Sequence, residues 1–348
     1  MKSEAEKTVE AMSSFLTFRY LVREDMQWKA GWRPDPYRLD AALQPVLTAS
    51  DIDNYMVDFF ARCKAKNMGL LLSGGMDSAV VASYLPKSTR CYTIKYEMTN
   101  AMDESAQALE YATHWGLSCS VVNVGWRDVL KYQEVLMRHQ KFPLHPAQIA
   151  VYKACLQAKA DGMDGIVTGN GADCTFGGFY KLLGRDWTLD EFMRRFTFVD
   201  PALALGKSVT FRDVYEQFWD GRRFETLKFL KRIHSTGLSL AFGKTMECAG
   251  VNPIEPFEYL VFDGELNLDR IRGGEEKYLI RELFAKKYGE HAIPRKSPFG
   301  RPVDAWLRDW EGPARVEFKR NCAAGLTGDQ KWLLYTLEQF LNLIGDPE

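Results

Sequence analysis

The chain has 348 residues, enough for two domains or for one large α/β domain with an extension. Its hydrophobic fraction of 46%, charged fraction of 26% and net charge of −1 are typical of a soluble globular protein and provide no basic field for nucleic acid. The seven cysteines form no CxxC pairs, which argues against disulfide and zinc frameworks and favours a reducing, cytoplasmic compartment. The sequence has no run of about 20 apolar residues, which is the length that a membrane-spanning helix needs.

The amino-terminal segment, residues 1–50, is predicted to be an irregular lead-in, because Pro34, Pro36 and Pro45 interrupt any long helix. A helix is predicted to follow it, since residues 51–66 carry apolar side chains at helical spacing.

Short apolar strands then alternate with helices as far as a strand at residues 165–168. This alternation predicts a doubly wound parallel α/β sheet, which binds ligands at the carboxyl ends of its strands. After Tyr180 the pattern is mainly helical. We therefore predict a nucleotide-binding core at residues 51–185 and a helical substrate-binding part at residues 186–348.

The loop Ser73-Gly74-Gly75-Met76-Asp77-Ser78 lies between an apolar strand and a helix. The glycine pair lets the backbone approach an anion closely, and the hydroxyl and amide groups offer donors to phosphate oxygens. Asp77 would repel phosphate unless a cation lay between them, which indicates Mg²⁺. The loop matches neither a Walker A motif nor a dinucleotide-binding GxGxxG motif. A strand-to-helix turn without a ligand is the alternative interpretation.

This loop resembles the pyrophosphate-binding loop (PP-loop) of the N-type ATP pyrophosphatases, which cleave ATP between the α and β phosphates. Three further segments resemble asparagine synthetases and β-lactam synthetases in order and spacing: Met102-Asp103-Glu104-Ser105 with its helix, Val167–Gly178, and Gly274–Trp306. The resemblance implies the PP-loop, adenine nucleotide α-hydrolase-like fold of the synthetase domain, with a carboxy-terminal helical layer.

The resemblance also implies roles for individual residues. Asp77 and Asp173 would bind Mg²⁺ on the pyrophosphate, and Lys296 would stabilise negative charge as a carboxylate attacks the α-phosphorus. Ser73, Gly74, Gly75 and Ser78 would hold the pyrophosphate of ATP. The residues that would contact adenosine, largely through the backbone, are Leu72, Ile94, Thr168 and Gly169.

Several positions depart from the asparagine synthetase pattern. Asn170 stands where those enzymes have a glutamate that can take a proton, and a carboxamide can position a nucleophile but cannot be the general base. Tyr180, Glu247 and Glu255 are the candidate bases. The segment Ile254–Tyr259 differs from the family's substrate-contacting segment, which predicts an acyl substrate other than aspartate. The chain also begins without the cysteine of a glutaminase domain, so ammonia would be free or come from a separate partner protein, or an amine would replace it.

The sequence therefore predicts an ATP- and Mg²⁺-dependent, AMP-forming carbon–nitrogen ligase of specialised metabolism. Its substrates would be a small carboxylic acid and ammonia or an amine, with neither nucleic acid nor membrane as a partner. An intramolecular cyclase of the β-lactam type is an alternative with the same activation chemistry. A non-catalytic nucleotide-binding regulatory subunit, suggested by Asn170 and Cys174, and an enzyme of nucleobase or tRNA modification are alternatives from other classes.

Overall fold

A computed structural model describes residues 3–35, 42–63, 67–98, 103–289, 291, 293 and 300–345. Its strands are β1 (Gln44–Val46), β2 (Met68–Leu71), β3 (Arg90–Tyr96), β4 (Ser118–Val124), β5 (Gly165–Val167), β6 (Asn252–Ile254) and β7 (Leu260–Phe262). Within the described residues, five of them form a parallel sheet in the order β4-β3-β2-β5-β6, and β1 pairs separately with β7. The predicted parallel α/β sheet is confirmed.

Helices cover both faces of this sheet and fill the second half of the chain. A π-helical turn, Leu230–His234, connects two of them, and a 3₁₀ turn, Pro256–Tyr259, follows β6. The α-helices are α1 (Glu4–Phe18), α2 (Ala49–Arg62), α3 (Met76–Ala82), α4 (Ser105–Trp115), α5 (Trp126–Gln140), α6 (Gln148–Ala160), α7 (Ala172–Phe176), α8 (Tyr180–Leu183), α9 (Leu189–Phe196), α10 (Pro201–Ala204), α11 (Arg212–Glu216), α12 (Thr226–Phe229), α13 (Ser235–Cys248), α14 (Leu268–Arg272), α15 (Tyr278–Tyr288), α16 (Val303–Trp306) and α17 (Gly328–Ile344).

The core consists of two clusters of buried apolar side chains, one on each face of the sheet. Successive strand residues point to opposite faces. Leu70 and Cys91, which are register partners on β2 and β3, accordingly belong to one cluster, whereas the next residue along β3, Tyr92, belongs to the other. Burial on both faces explains why the central strands β2 and β5 are short apolar runs rather than alternating ones.

The prediction of an irregular lead-in is wrong for the first helix. Ser3 accepts a hydrogen bond from the Glu6 amide in a capping box, and α1 then runs for 15 residues. Every residue of α1 from Glu10 to Phe18 is buried, and the Phe15 and Phe142 rings pack in the core with their centroids 5.4 Å apart. The prolines could not interrupt this helix because all of them come later in the chain; Pro36 lies outside the described residues.

The part predicted to be helical also contributes a strand to the sheet. β6 comes from residues 252–254 and lies beside β5 at the sheet edge, with Val167 and Ile254 as register partners. Each core cluster contains residues from both sides of position 185. A division of the chain at that position therefore cuts through both clusters. No helix in the described part of the chain is both long enough and apolar enough to cross a bilayer.

Candidate active site

A cleft of about 630 Å³, here called the central cleft, opens at the carboxyl ends of β2 and β5. Ligands of doubly wound sheets bind at this end of the strands. The structure brings most of the predicted site residues together here. Those that line the cleft are Ser73, Gly74, Gly75, Asp77, Ser78, Thr168, Gly169, Asn170, Asp173, Tyr180 and Glu255.

The PP-loop connects β2 to α3 and is closed by its own serines. The Ser73 and Ser78 hydroxyl oxygens are 2.9 Å apart, and the Gly75 amide donates to Ser73 Oγ at 3.1 Å. The loop after β5 packs directly on this turn, because a Cβ on Gly169 would lie 2.7 Å from the Ser78 nitrogen. Only glycine therefore allows the two loops to approach so closely.

A buried lysine joins the two aspartates that were predicted to bind magnesium. Lys277 precedes α15, and its Nζ donates to both carboxylate oxygens of Asp77, at 2.8 and 2.6 Å. The same Nζ lies 2.9 Å from Oδ1 of Asp173. The Lys277 side chain is 6% exposed, so the two carboxylates converge on a cation that is almost removed from water.

The electrostatic balance keeps this lysine charged. Burial alone would lower the pKa of Lys277, but the carboxylates of Asp77 and Asp173 outweigh it and raise the pKa above its ordinary value. Carboxylate oxygens are the ligands that Mg²⁺ prefers, so this pair fits that ion. Among the described residues, no group of three or more His, Cys, Asp or Glu side chains could hold a metal ion. Phosphate or water oxygens would therefore complete the coordination.

Asp173 is held by a glycine pair at the end of α7. Gly177 ends the helix with a φ of 79°, a left-handed conformation that glycine adopts without strain. The next residue is confined by space, since a Cβ on Gly178 would lie 1.8 Å from Oδ1 of Asp173. The Gly-Gly pair of the predicted loop thus fixes where the carboxylate lies.

We expect Gly178→Ala to displace the Asp173 carboxylate, because the new methyl group would occupy its place. Overpacking of this kind costs about 1–3 kcal/mol, which urea unfolding would measure. Calorimetry should also show weaker binding of Mg-ATP. Gly206→Ala is the matched control, since its Cβ would meet its nearest atom, the Glu317 carbonyl oxygen, at 3.6 Å. Equal stability and Mg-ATP affinity of the two variants would contradict the steric argument.

The register of β5 and β6 brings Asn170 to a buried glutamate. The Thr168 amide donates to the Ile254 carbonyl at 3.0 Å, which aligns the loops that leave the two strands. Asn170 Nδ2 then donates to Glu255 Oε1 at 3.1 Å. Glu255 is 3% exposed and lines the central cleft. A carboxylate therefore lies next to the position whose carboxamide cannot accept a proton.

A second carboxyl group in this region, Glu258, follows on the 3₁₀ turn and also lines the cleft. Ser239 Oγ donates to its Oε1 at 2.8 Å. Burial raises the pKa of Glu258, although hydrogen bonds from Ser239 and Ser235 and the charge of Lys231 oppose the shift. Glu258 is therefore a carboxyl group poised to exchange a proton closer to neutral pH than an exposed glutamate.

The family model for asparagine synthase matches residues 62–317, more than half of the chain. The chain belongs to the asparagine synthase family. Family membership supports an ATP-dependent synthetase of the amide-forming type. The match contains every element of the central cleft described above, from the PP-loop to Lys277.

One curated protein is similar to part of this chain. The protein named "Amidase chry2" from Gibberella zeae (strain PH-1) is 27% identical over 165 residues, which is 42% of this chain and 25% of that protein. The chain thus spans about a quarter of the length of this relative.

Solved structures give distant likenesses. An NMN synthetase from Francisella tularensis covers 72% of this chain and 95% of its own at 16% identity, with a TM-score of 0.27. An NH3-dependent NAD synthetase from Campylobacter jejuni covers 37% of this chain and 58% of its own at 14% identity, with a TM-score of 0.26. A U34-tRNA thiolase from Methanococcus maripaludis covers 84% of this chain and 79% of its own at 14% identity, with a TM-score of 0.30. At these TM-scores the likenesses carry no argument about activity.

Three predicted site residues that the structure describes, Leu72, Ile94 and Glu247, do not line the cleft. The Leu72 side chain is buried beneath the loop, and Ile94 packs against the core, so contacts of these two with adenosine stay predictions that involve the backbone. The candidate base Glu247 does not line this cleft: its side chain is 46% exposed, and its carboxylate accepts a hydrogen bond from Lys244 at 2.8 Å. Lys296 lies outside the described residues.

Sequence reasoning missed Lys277 and Glu258. Lys277 stands in the segment Gly274–Trp306 that carried the family resemblance, but nothing in its spacing points to Asp77, which lies 200 residues away. The signal that could have indicated such a lysine is the need for a cation between two neighbouring aspartates. Glu258 lies in the altered segment Ile254–Tyr259, where the sequence predicts only a different acyl substrate.

Proposed function

We propose that this member of the asparagine synthase family is an AMP-forming carbon–nitrogen ligase that joins a carboxylic acid to ammonia or an amine. One observation carries the proposal. The PP-loop with its Asp77–Lys277–Asp173 cluster and the buried carboxylate of Glu255 line one cleft. The first group suits the departure of pyrophosphate, and the second suits the removal of a proton from a nitrogen nucleophile.

In the activation step, a carboxylate oxygen of the acid would bond to the α-phosphorus of ATP as the bond to the bridging oxygen breaks and pyrophosphate leaves. Ser73, Gly74, Gly75 and Ser78 would hold the leaving pyrophosphate through amides and hydroxyl groups. Asp77 and Asp173 would hold Mg²⁺, which would neutralise charge on the phosphate oxygens. The cation of Lys277 lies beside both carboxylates and would add positive charge near the leaving pyrophosphate. Lys296 keeps its predicted role as a further cation.

In the transfer step, the nitrogen nucleophile would attack the acyl carbon and AMP would leave. The nitrogen loses a proton in this step, and we assign that proton to Glu255. Asn170 would orient the nucleophile and the glutamate, to which it already donates a hydrogen bond. A base in the cleft favours catalysis over the alternative of a non-catalytic nucleotide-binding subunit, although Asn170 and Cys174 depart from the synthetase pattern.

The nitrogen source defines the two forms of this proposal. Ammonia or a second amine substrate would give an open amide, and an amine on the same molecule would give a ring. The partial likeness to a protein named an amidase is in keeping with amide chemistry. We place the reaction in specialised metabolism, because the segment Ile254–Tyr259 differs from the one that contacts aspartate in asparagine synthetases.

The products of ATP test the proposal. The protein would be incubated with Mg-ATP and a panel of carboxylic acids, with and without ammonium, and the nucleotides would be separated by mass spectrometry. We expect AMP and pyrophosphate that appear only with particular acids. ADP and phosphate as products, or tight ATP binding without pyrophosphate formation across the panel, would contradict a ligase of this type.

A further inference from the structure

Arg19 is a lining residue of the central cleft that comes from outside the segment matched by the family model. It directly follows α1, with a φ of 64° and a ψ of 20°. Residues other than glycine seldom adopt this left-handed conformation, because the side chain then crowds the backbone. Such a conformation persists where the surrounding structure holds it, and it often accompanies a functional side chain.

Packing and hydrogen bonds fix the direction of this side chain. The guanidinium carbon of Arg19 lies 3.6 Å from the centroid of the Phe198 ring, and Nη1 lies 3.2 Å from Nε2 of His145. The Val199 amide donates to the Leu16 carbonyl at 3.0 Å and ties the aromatic segment to the end of α1. The planar cation is therefore stacked against one wall of the cleft rather than extended into solvent.

The charge of Arg19 has no carboxylate partner in the part of the chain that the structure describes. The imidazoles beside it do not supply one: burial lowers the pKa of His145 well below its usual value and that of His234 to about 3, so both are neutral. Burial, together with nearby Arg301, also lowers the pKa of Arg19 to about 9. Arg301 forms two hydrogen bonds to Asp329, at 3.0 and 2.8 Å, which occupy that carboxylate.

The surroundings of Arg19 are aromatic and apolar. Phe179, Phe196, Phe198, Leu238 and Phe242 line the cleft with it. The donors suited to phosphate are a separate set, namely the PP-loop and Lys277. The wall around Arg19 therefore offers a planar cation at the edge of an apolar surface, beside Arg301, whose charge is paired with Asp329. Such a wall is a suitable site for an anionic group on an apolar body.

We propose that Arg19 binds a second carboxylate on the acyl substrate, and that the substrate is a dicarboxylic acid with an aromatic or other apolar body. This inference rests on the proposed function, because it assigns the other carboxylate to activation by ATP. It also explains why α1 is built into the core beside the cleft. The amino-terminal segment then contributes directly to substrate specificity.

Matched acids test this assignment. Phthalate, isophthalate, terephthalate and phenylsuccinate would each be compared with the monoamide in which one carboxylate is replaced. Dissociation constants would be measured by calorimetry with Mg²⁺ and a non-hydrolysable ATP analogue present. We expect at least one diacid to bind at least about 10-fold more tightly than its monoamide, the gain of a charge-assisted hydrogen bond to a buried arginine. Arg19→Met should remove that difference.

Variants on the same segment supply the controls. Arg23→Met removes an arginine that forms ion pairs with Glu10 and Asp213 and does not line the cleft, so the preference should remain. Arg19→Lys keeps the charge, should retain part of the preference, and replaces Arg19→Met as the test if the latter fails to fold. In that case a preference that falls below the wild-type value supports the assignment, and an unchanged one overturns it.

The remaining outcomes separate the inference from the proposed function. Diacids that bind no better than their monoamides, or a preference that survives Arg19→Met, would overturn the inference. So would weaker Mg-ATP binding in Arg19→Met with an unchanged preference, because Arg19 would then serve a phosphate. Diacid binding that depends on Arg19 but gives no acid-dependent exchange of pyrophosphate into ATP would support the inference and contradict the ligase.

Discussion

Replacement of Lys277 by methionine is expected to destabilise the protein by about 3 kcal/mol and to lower acid-dependent pyrophosphate formation by about 10²-fold. The variant leaves Asp77 and Asp173 close together without their shared cation. Loss of one partner from a buried ion pair costs about 3–5 kcal/mol. The lower end of this free-energy range applies, because the side chain of Asp173 is 35% exposed and its charge is partly screened by water. Loss of a cation next to the departing phosphate costs about 2–3 powers of ten in comparable sites.

Magnesium provides a second measurement on the same variant. In the wild type, Mg²⁺ would share the two carboxylates with the Lys277 ammonium group, and Lys277→Met removes that competing cation. Magnesium alone should therefore raise the unfolding midpoint of the variant more than that of the wild type. Lys286→Met, on the helix that follows Lys277, is the control, because this lysine is 60% exposed in its pair with Asp53 and its replacement should cost less than about 1 kcal/mol. Equal losses of stability in the two variants would contradict the assigned role of Lys277.

Replacement of Glu255 by glutamine is expected to separate the two half-reactions. The amide keeps the shape of the side chain and can still accept a hydrogen bond from Asn170, but it cannot take a proton. Exchange of labelled pyrophosphate into ATP, which reports acyl-adenylate formation, should stay within a few-fold of the wild type. Amide formation should fall by about 10²–10⁴-fold, the usual contribution of a general base.

The other candidate bases serve as comparisons for this experiment. Glu247→Gln should leave both half-reactions unchanged, because that carboxylate lies outside the central cleft. Tyr180→Phe and Glu258→Gln remove proton-exchanging groups that do line it. A selective loss of amide formation in one of these two variants, with Glu255→Gln unaffected, would transfer the role of base to that residue.

The sequence predicted the sheet and the PP-loop because both leave local signals. Strands β2 and β5 are short apolar runs, β3 has an alternating pattern, and helices separate the strands. The loop from Ser73 to Ser78 has glycine and serine residues at short spacing. The resemblance to asparagine synthetases paired Asp77 with Asp173 in advance, and in the structure their loops leave β2 and β5, which are neighbours in the sheet. The apolar strand pattern and the rule that ligands bind at the carboxyl ends of parallel strands both predict a site here.

The features that escaped prediction depend on contacts between distant residues. The strand β6 is three residues long and contains Pro253, so it has neither the length nor the composition of a strand signal. Lys277 reaches the site only because α15 packs against α3 and α7. Arg19 directly follows α1, in a segment for which the later prolines predict irregular structure rather than a helix. Charge and burial in the folded chain, rather than spacing along it, identify these residues.

The position of β6 has a consequence for how the protein acquires its site. The strand β6, which Glu255 directly follows, is added to the sheet edge from a point more than 80 residues beyond β5, and Lys277 comes later still. During synthesis the nucleotide-binding loops would therefore leave the ribosome well before the groups that complete them. Contacts of such long sequence separation form slowly, because a large loop must close first. A fragment that ends before residue 252 should then remain exposed to proteases at the uncovered edge of β5.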